Sequence, residues 1–170
     1  MRHVLVVVIL LAAMGDGGVA GAQDLRYSDD ATLECISQAG SLPEQRACIG
    51  VSANACINAT PDGQTTYGMG ACLEQELRFW DGILNINYQK GRNRAKAMDS
   101  EMQQPGTNPF SLDQALRDMQ RAWIPYRDAT CDFERGQWGG GTGAGPAMLA
   151  CLLRLTGEQA LYLNEVWAGS

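Results

Sequence analysis

The sequence predicts an all-α protein: a small disulfide-stapled helical bundle built on one long helix and its antiparallel partner. Three observations predict it. From about Thr66 to Gln103, Leu73, Leu77, Trp80, Leu84, Tyr88, Ala95, Met98 and Met102 recur three, four or seven residues apart, which is one stripe of a helix. No segment shows the strict apolar–polar alternation of a half-buried strand. Six cysteines follow an export-type leader, and an even count in an exported chain implies disulfides.

The elements follow in order. Arg2 and His3 precede the apolar run Val4–Met14, and "AGA" at 20–22 is a small-x-small cleavage site, so residues 1–22 read as a secretory signal peptide. The run is too short to span a bilayer, and no later segment is long and apolar enough to do so. Cys35 follows "TLE" rather than small residues, so no lipid attachment is expected. Residues 23–170 are expected to form a single soluble domain, periplasmic or secreted. "SDDATLECISQAG" reads as a short helix capped by Asp29 or Asp30 and stopped at Gly40. Ser41 and Glu44 have capping-box spacing, so a second helix is expected from there to about Asn58. The long helix follows, weakened at Gly82 and Gly91. It is broken by "QQPGTNPF" at 103–110. Ser111 and Gln114 open the next helix, whose apolar side is Leu112, Ala115, Leu116, Met119, Trp123 and Tyr126. Pro125 removes a backbone donor, so a kink or break is expected there. "RGQWGGGTGAG" reads as a flexible loop. Pro146 suits the first turn of the last helix, which is expected to bend or restart near Gly157, because Thr156 and Gln159 repeat the capping-box spacing.

This helix geometry also selects a cysteine pairing. Cys35 and Cys48 stand at similar heights on either side of the Gly40 turn, whereas Cys56 lies one to two turns further away. The expected bridges are Cys35–Cys48, Cys56–Cys72 and Cys131–Cys151, each joining neighbours along the chain.

Composition excludes several chemistries. The chain carries 13 Lys and Arg against 19 Asp and Glu, a net charge of −6. That argues against nucleic acid and against an anionic membrane as partners. His3 is the only histidine and would leave with the leader, which removes Ser-His-Asp, Cys-His and histidine–metal sites. No C-x-x-C pair occurs, and paired cysteines are neither nucleophiles nor zinc ligands, so no metal and no cofactor is expected. "WGGGTGAGP" lacks the Lys and hydroxyl of a phosphate-binding loop. It reads as the connection that lets Cys131 reach Cys151. The acid pairs Glu74 with Glu76 and Asp128 with Asp132 read as helix-surface charges, with Glu74–Arg78 and Asp113–Arg117 as i,i+4 pairs. "NAT" at 58–60 reads as an exposed turn.

Trp80, Leu84 and Tyr88 share a stripe edged by Asp81 and Asn85, and Gln120 and Arg127 share an edge with Trp123. An arginine partly buried beside aromatics needs acceptors, and Asp81, Asn85 and Glu74 are the candidates. Glu74, Asp81, Asn85, Tyr88, Gln120 and Arg127 are therefore expected to form a polar network that fixes helix register rather than performs chemistry.

These motifs together resemble the LprI-type lysozyme inhibitor family. Cys56, Cys72, Glu76, Asp81, Leu84, Asn85 and Tyr88 fit its long-helix pattern. Gln120, Trp123, Tyr126, Arg127, Asp128 and Cys131 fit its Q-x-x-W-x-x-Y/F-R-D-x-x-C segment, and Cys151 and Thr156 its last helix. The resemblance covers roughly residues 53–166. It implies an exported helical domain with lysozyme inhibition as the characterised activity, and with no imidazole or free thiol in the mature chain no enzymatic role is expected. Lysozymes are typically cationic, and an acidic chain would be steered toward one. The expected inhibitory elements are exposed loops that occlude the cleft, so the partner-binding candidates are Trp138, Gly140 and Thr142 in the glycine-rich loop and Asn108 in the 103–110 connection. Two other readings remain open: an envelope module for a different protein partner, and a glycan-acting enzyme using paired acids.

Overall fold

The computed structural model describes residues 25–102 and 110–168. The expected leader and Asn108 lie outside the described residues. The described residues form six α-helices: α1 (Asp30–Gln38), α2 (Leu42–Ala47), α3 (Val51–Ala59), α4 (Thr66–Met102), α5 (Leu112–Gly136) and α6 (Ala144–Ala168). A 3-10 turn at Pro61–Gln64 joins α3 to α4. No strand occurs among the described residues.

The long helix is the spine. Its buried positions Cys72, Glu76, Trp80, Leu84, Asn87, Gly91 and Ala95 step three or four residues apart, as one stripe must. α5 runs antiparallel to it. The Arg92 guanidinium of α4 meets Asp113 at the start of α5. Arg127, further along α5, lines a pocket with Leu77 and Asp81 near the start of α4. α6 then returns parallel to α4: Leu149 lies by Gly70, and the Asn87 amide donates to the Ala160 carbonyl at 3.0 Å. Among the described residues the α4–α6 contact is the most extensive, so the spine is shared between two partners rather than one. The core forms where they meet, around Trp80, Leu84, Leu116, Leu153, Ala160, Leu161 and Leu163. α3 packs on the first half of α4, α1 lies on α3, and α2 touches α6.

All six cysteines are paired, as Cys35–Cys48, Cys56–Cys72 and Cys131–Cys151. This is the pairing that helix heights select. The capping signals also hold at two starts: Ser41 accepts from the Glu44 N–H, and Ser111 accepts from the Gln114 N–H at 3.1 Å. At α1 the cap differs. Asp29 holds the N-cap position, but its carboxylate accepts from the Tyr27 hydroxyl at 2.6 Å, and the Ser28 hydroxyl accepts from the Asp30 N–H.

Three expectations are corrected. The single helix expected from Ser41 to about Asn58 is two, broken at Gly50, whose φ of +95° lies in the left-handed region that glycine tolerates. α5 is unbroken across Pro125, which sits on the exposed face. Burial of Leu116 and Gln120 before it and Cys131 after it anchors both halves, which outweighs one lost backbone hydrogen bond. α6 does not restart at Gly157 but runs through it as one helix. Thr156 is fully buried there, and Gly157 is small because Ile49 packs on it: a Cβ would lie 2.8 Å from the Ile49 side chain.

Candidate functional site

The expected polar network divides into separate contacts. Glu74 is exposed and pairs with Arg78 at 2.7 Å. Asp81 accepts from the Asn85 amide at 3.0 Å, also in the open. Tyr88 is half-buried against the core, with the Arg92 guanidinium 6.0 Å from its ring centre. Gln120 is buried, and its carbonyl accepts from the Gln159 amide of α6 at 3.0 Å. Arg127 lies 5.0 Å over the Trp123 ring and donates through Nε and Nη2 to Asp128. Its hydrogen bonds thus go to its chain neighbour and not to Asp81, Asn85 or Glu74. The reason is geometric: those three acceptors are exposed and already engaged on their own helix. Asp81 and Arg127 do come to one small pocket of about 240 Å3, floored by Leu77 and Leu152. Tyr126, expected on the apolar side of α5, is 62% exposed.

The buried polar centre is a different residue. Glu76, expected as a surface charge, is fully buried. Its carboxylate accepts four hydrogen bonds: from Thr32 Oγ1 at 2.8 Å, the Gly50 N–H at 2.8 Å, the Ala53 N–H at 2.6 Å and Trp80 Nε1 at 3.1 Å. The Gly50 break exists where two backbone donors at the start of α3 converge on this acid. A helix N-terminus is where a carboxylate is favoured. Thr32 and Ser52 complete the centre by exchanging backbone-to-hydroxyl bonds of 3.0 and 3.1 Å. Burial and the bond to Asp29 push the nearby Tyr27 phenol far above its ordinary value, so it stays protonated. The sequence signal for Glu76 was present: Glu76, Trp80 and Leu84 are spaced by four on the buried stripe.

A second polar centre joins the other end of α4 to α5. Asp113 takes a two-pronged contact from Arg92, at 2.8 and 3.2 Å, and a third bond from Arg117 at 2.7 Å. The Arg92 bond, then the charges of Arg117 and Lys96, hold its carboxyl below the ordinary aspartate value against the opposing effect of burial. Asp99 accepts from the Leu112 and Asp113 N–H groups and the Ser111 hydroxyl at the start of α5. Burial pushes its carboxyl up, and these bonds together pull it lower still.

The glycine-rich stretch is a chain of tight turns. The N–H groups of Trp138, Gly139, Gly141 and Ala144 each donate to a carbonyl three residues back. Trp138 is 56% exposed, with its ring against Gly143. Gly140 and Thr142 are exposed too, so these three candidates share one projecting turn. Thr142 also borders an open groove of about 520 Å3 whose other wall is Tyr67 and Glu74 at the start of α4. Tyr67 is 69% exposed. Two aromatics thus stand out at the end of the bundle where α5 turns into α6.

Fold and surface together define an all-α, three-disulfide protein that presents an aromatic-bearing turn beside an open groove. The chain belongs to the family described as "Lysozyme inhibitor LprI", whose model matches residues 56–163. Among curated proteins, an uncharacterized 17.7 kDa protein in the puhA 5′ region of Rhodobacter capsulatus is 30% identical over 139 residues, covering 81% of this chain and 85% of that one. An uncharacterized protein of Rhizobium meliloti is 30% identical over 98 residues, covering 58% of this chain and 70% of its own. No solved structure matches the chain significantly. The family match begins at Cys56, so it includes Glu76 but not three of its four donors, which come from α1 and the start of α3.

Proposed function

We propose that this protein is exported after loss of residues 1–22, acts as a single domain in the periplasm or outside the cell, and inhibits lysozyme without catalysing a reaction. The family match over residues 56–163 carries this reading. Three disulfides with no free cysteine suit an oxidising compartment. Among the described residues no helix is long and apolar enough to cross a membrane. The net charge of −6 favours encounter with a cationic partner.

Inhibition works by occlusion. The turn at 136–143 enters the lysozyme cleft, with Trp138 as the anchor and Gly140 and Thr142 allowing close backbone approach. An exposed aromatic on a turn held by successive hydrogen bonds loses little freedom on binding, and such residues dominate interface energetics. The 103–110 connection, with Asn108, is the alternative inhibitory element in this reading. The test is a cell-wall lysis assay with the purified chain from residue 23 onward and several lysozyme types. Micromolar protein is expected to slow lysis. Trp138→Ala is expected to weaken inhibition at least tenfold, roughly 1.4 kcal/mol, with an unchanged melting temperature. Unimpeded lysis with every lysozyme type would overturn the function. Full inhibition by Trp138→Ala would overturn only the choice of turn.

A further inference from the structure

One stretch of this acidic chain runs against its overall charge. Residues 90–96, "KGRNRAK", hold four of the 13 basic residues. Two of the four serve the fold: Arg92 grips Asp113, and Lys96 adds to the field on the same carboxylate. Lys90 and Arg94, one helical turn apart, point elsewhere. They line a pocket of about 330 Å3 between the later halves of α4 and α6, together with Asn87, Leu163, Asn164 and Trp167. Among the described residues neither Lys90 nor Arg94 is in an ion pair.

The pocket has a built interior. Leu163 is 1% exposed and provides an apolar floor. Asn87 is buried and held in place by its bond to the Ala160 carbonyl. Trp167 sits directly on the α4 backbone at Gly91 and closes one side. The volume falls at the small end of ligand sites, which run from roughly 300 to 1,000 Å3. Two like charges in one wall repel each other, and the field of the nearby α6 C-terminus offsets only about half a charge of the two. An anion in the pocket would remove the rest of that repulsion.

We propose that this pocket binds a small organic anion: a carboxylate or phosphate carried on a polar body of about monosaccharide size. Lys90 and Arg94 hold the acid group, Asn164 meets a hydroxyl or carbonyl of the body, and Leu163 with Trp167 covers its apolar side. The site is separate from the glycine-rich turn, which lies by the opposite end of α4.

The test is amide-detected NMR titration of the isotope-labelled protein with glucose 6-phosphate, glucuronate, inorganic phosphate and glucose. Glucose 6-phosphate or glucuronate is expected to shift the Asn87 and Asn164 side-chain amides and the Trp167 indole N–H saturably, while glucose leaves them in place. The double variant Lys90→Gln, Arg94→Gln is expected to bind at least tenfold more weakly with an unchanged melting temperature, and Asn164→Ala to weaken binding without abolishing it. No saturable shift from either organic anion, an equal response to glucose, or undiminished binding by the double variant would overturn the site. Equal affinity for inorganic phosphate and glucose 6-phosphate would overturn the assignment of an organic ligand.

Discussion

Glu76 shows how much one buried side chain can organise. It collects donors from α1, the start of α3 and α4, so its loss would leave four polar groups facing an empty centre. Glu76→Gln keeps the shape but turns one acceptor into a donor aimed at other donors. It is expected to destabilise the fold by about 3 kcal/mol, read as a lower urea midpoint. Asp113 supplies a pH-dependent counterpart. Its folded carboxyl titrates below its ordinary value, so the stability it contributes is present above about pH 4 and is lost as pH falls through the depressed folded value. Asp113→Asn is expected to be less stable at neutral pH yet to lose less on acidification. A urea midpoint measured from pH 6 to pH 2 should therefore fall less steeply than in the parent. These centres were only half legible in the sequence. Asp113–Arg117 and Glu74–Arg78 are i,i+4 pairs that spacing alone reveals. Glu76 stands two residues from Glu74 in sequence but faces the core, and three of its four donors lie 23 to 44 residues away on α1 and at the start of α3. Helical phase places it inside and puts Trp80 one turn on, but no local rule names the other three donors.

At the scale of elements, local signals worked where local chemistry decides. Ser41 and Ser111 cap as their spacing says, because a cap is satisfied within four residues. Breaks and continuities failed where tertiary contact decides. The Gly50 break serves a carboxylate on another helix, and Gly157 serves the side chain of Ile49 rather than a helix start. Two alanine substitutions separate these cases. A methyl added at Gly82 in α4 would have nothing within 4 Å, so Gly82→Ala is expected to stabilise by about 0.5–1 kcal/mol through helix propensity alone. Gly157→Ala meets Ile49 at 2.8 Å and is expected to cost about 1 kcal/mol net, because crowding outweighs the same propensity gain. Thermal melts of both variants check the contrast. The polar network expected around Arg127 failed for the same kind of reason. A stripe in sequence says which residues share a face, but not that Arg127 would settle on Trp123 and Asp128 instead of reaching across to α4.

For the whole molecule, all-α class and disulfide pairing were both legible, because helix period and rise are properties of the backbone itself. The division of α4 between two partner helices was not, since an antiparallel hairpin and a three-helix arrangement leave the same stripe on the spine. At this scale charge makes its own prediction. With a net charge of −6, association with a cationic lysozyme is expected to slow several-fold as salt rises from about 10 mM to 0.15 M, where the screening length shrinks to about 8 Å. Stopped-flow association rates would show it, with dissociation changing less.

The cystine pattern has a consequence for biosynthesis. The bridges join the first cysteine to the second, the third to the fourth and the fifth to the sixth, and none encloses another. A chain oxidised from its N-terminus as it emerges, pairing each new thiol with the one waiting, arrives at the native set with no bond to undo. Correct oxidation of the emerging chain should therefore need a thiol oxidant but no shuffling catalyst, and a host that lacks a disulfide isomerase should yield the native pairing undiminished.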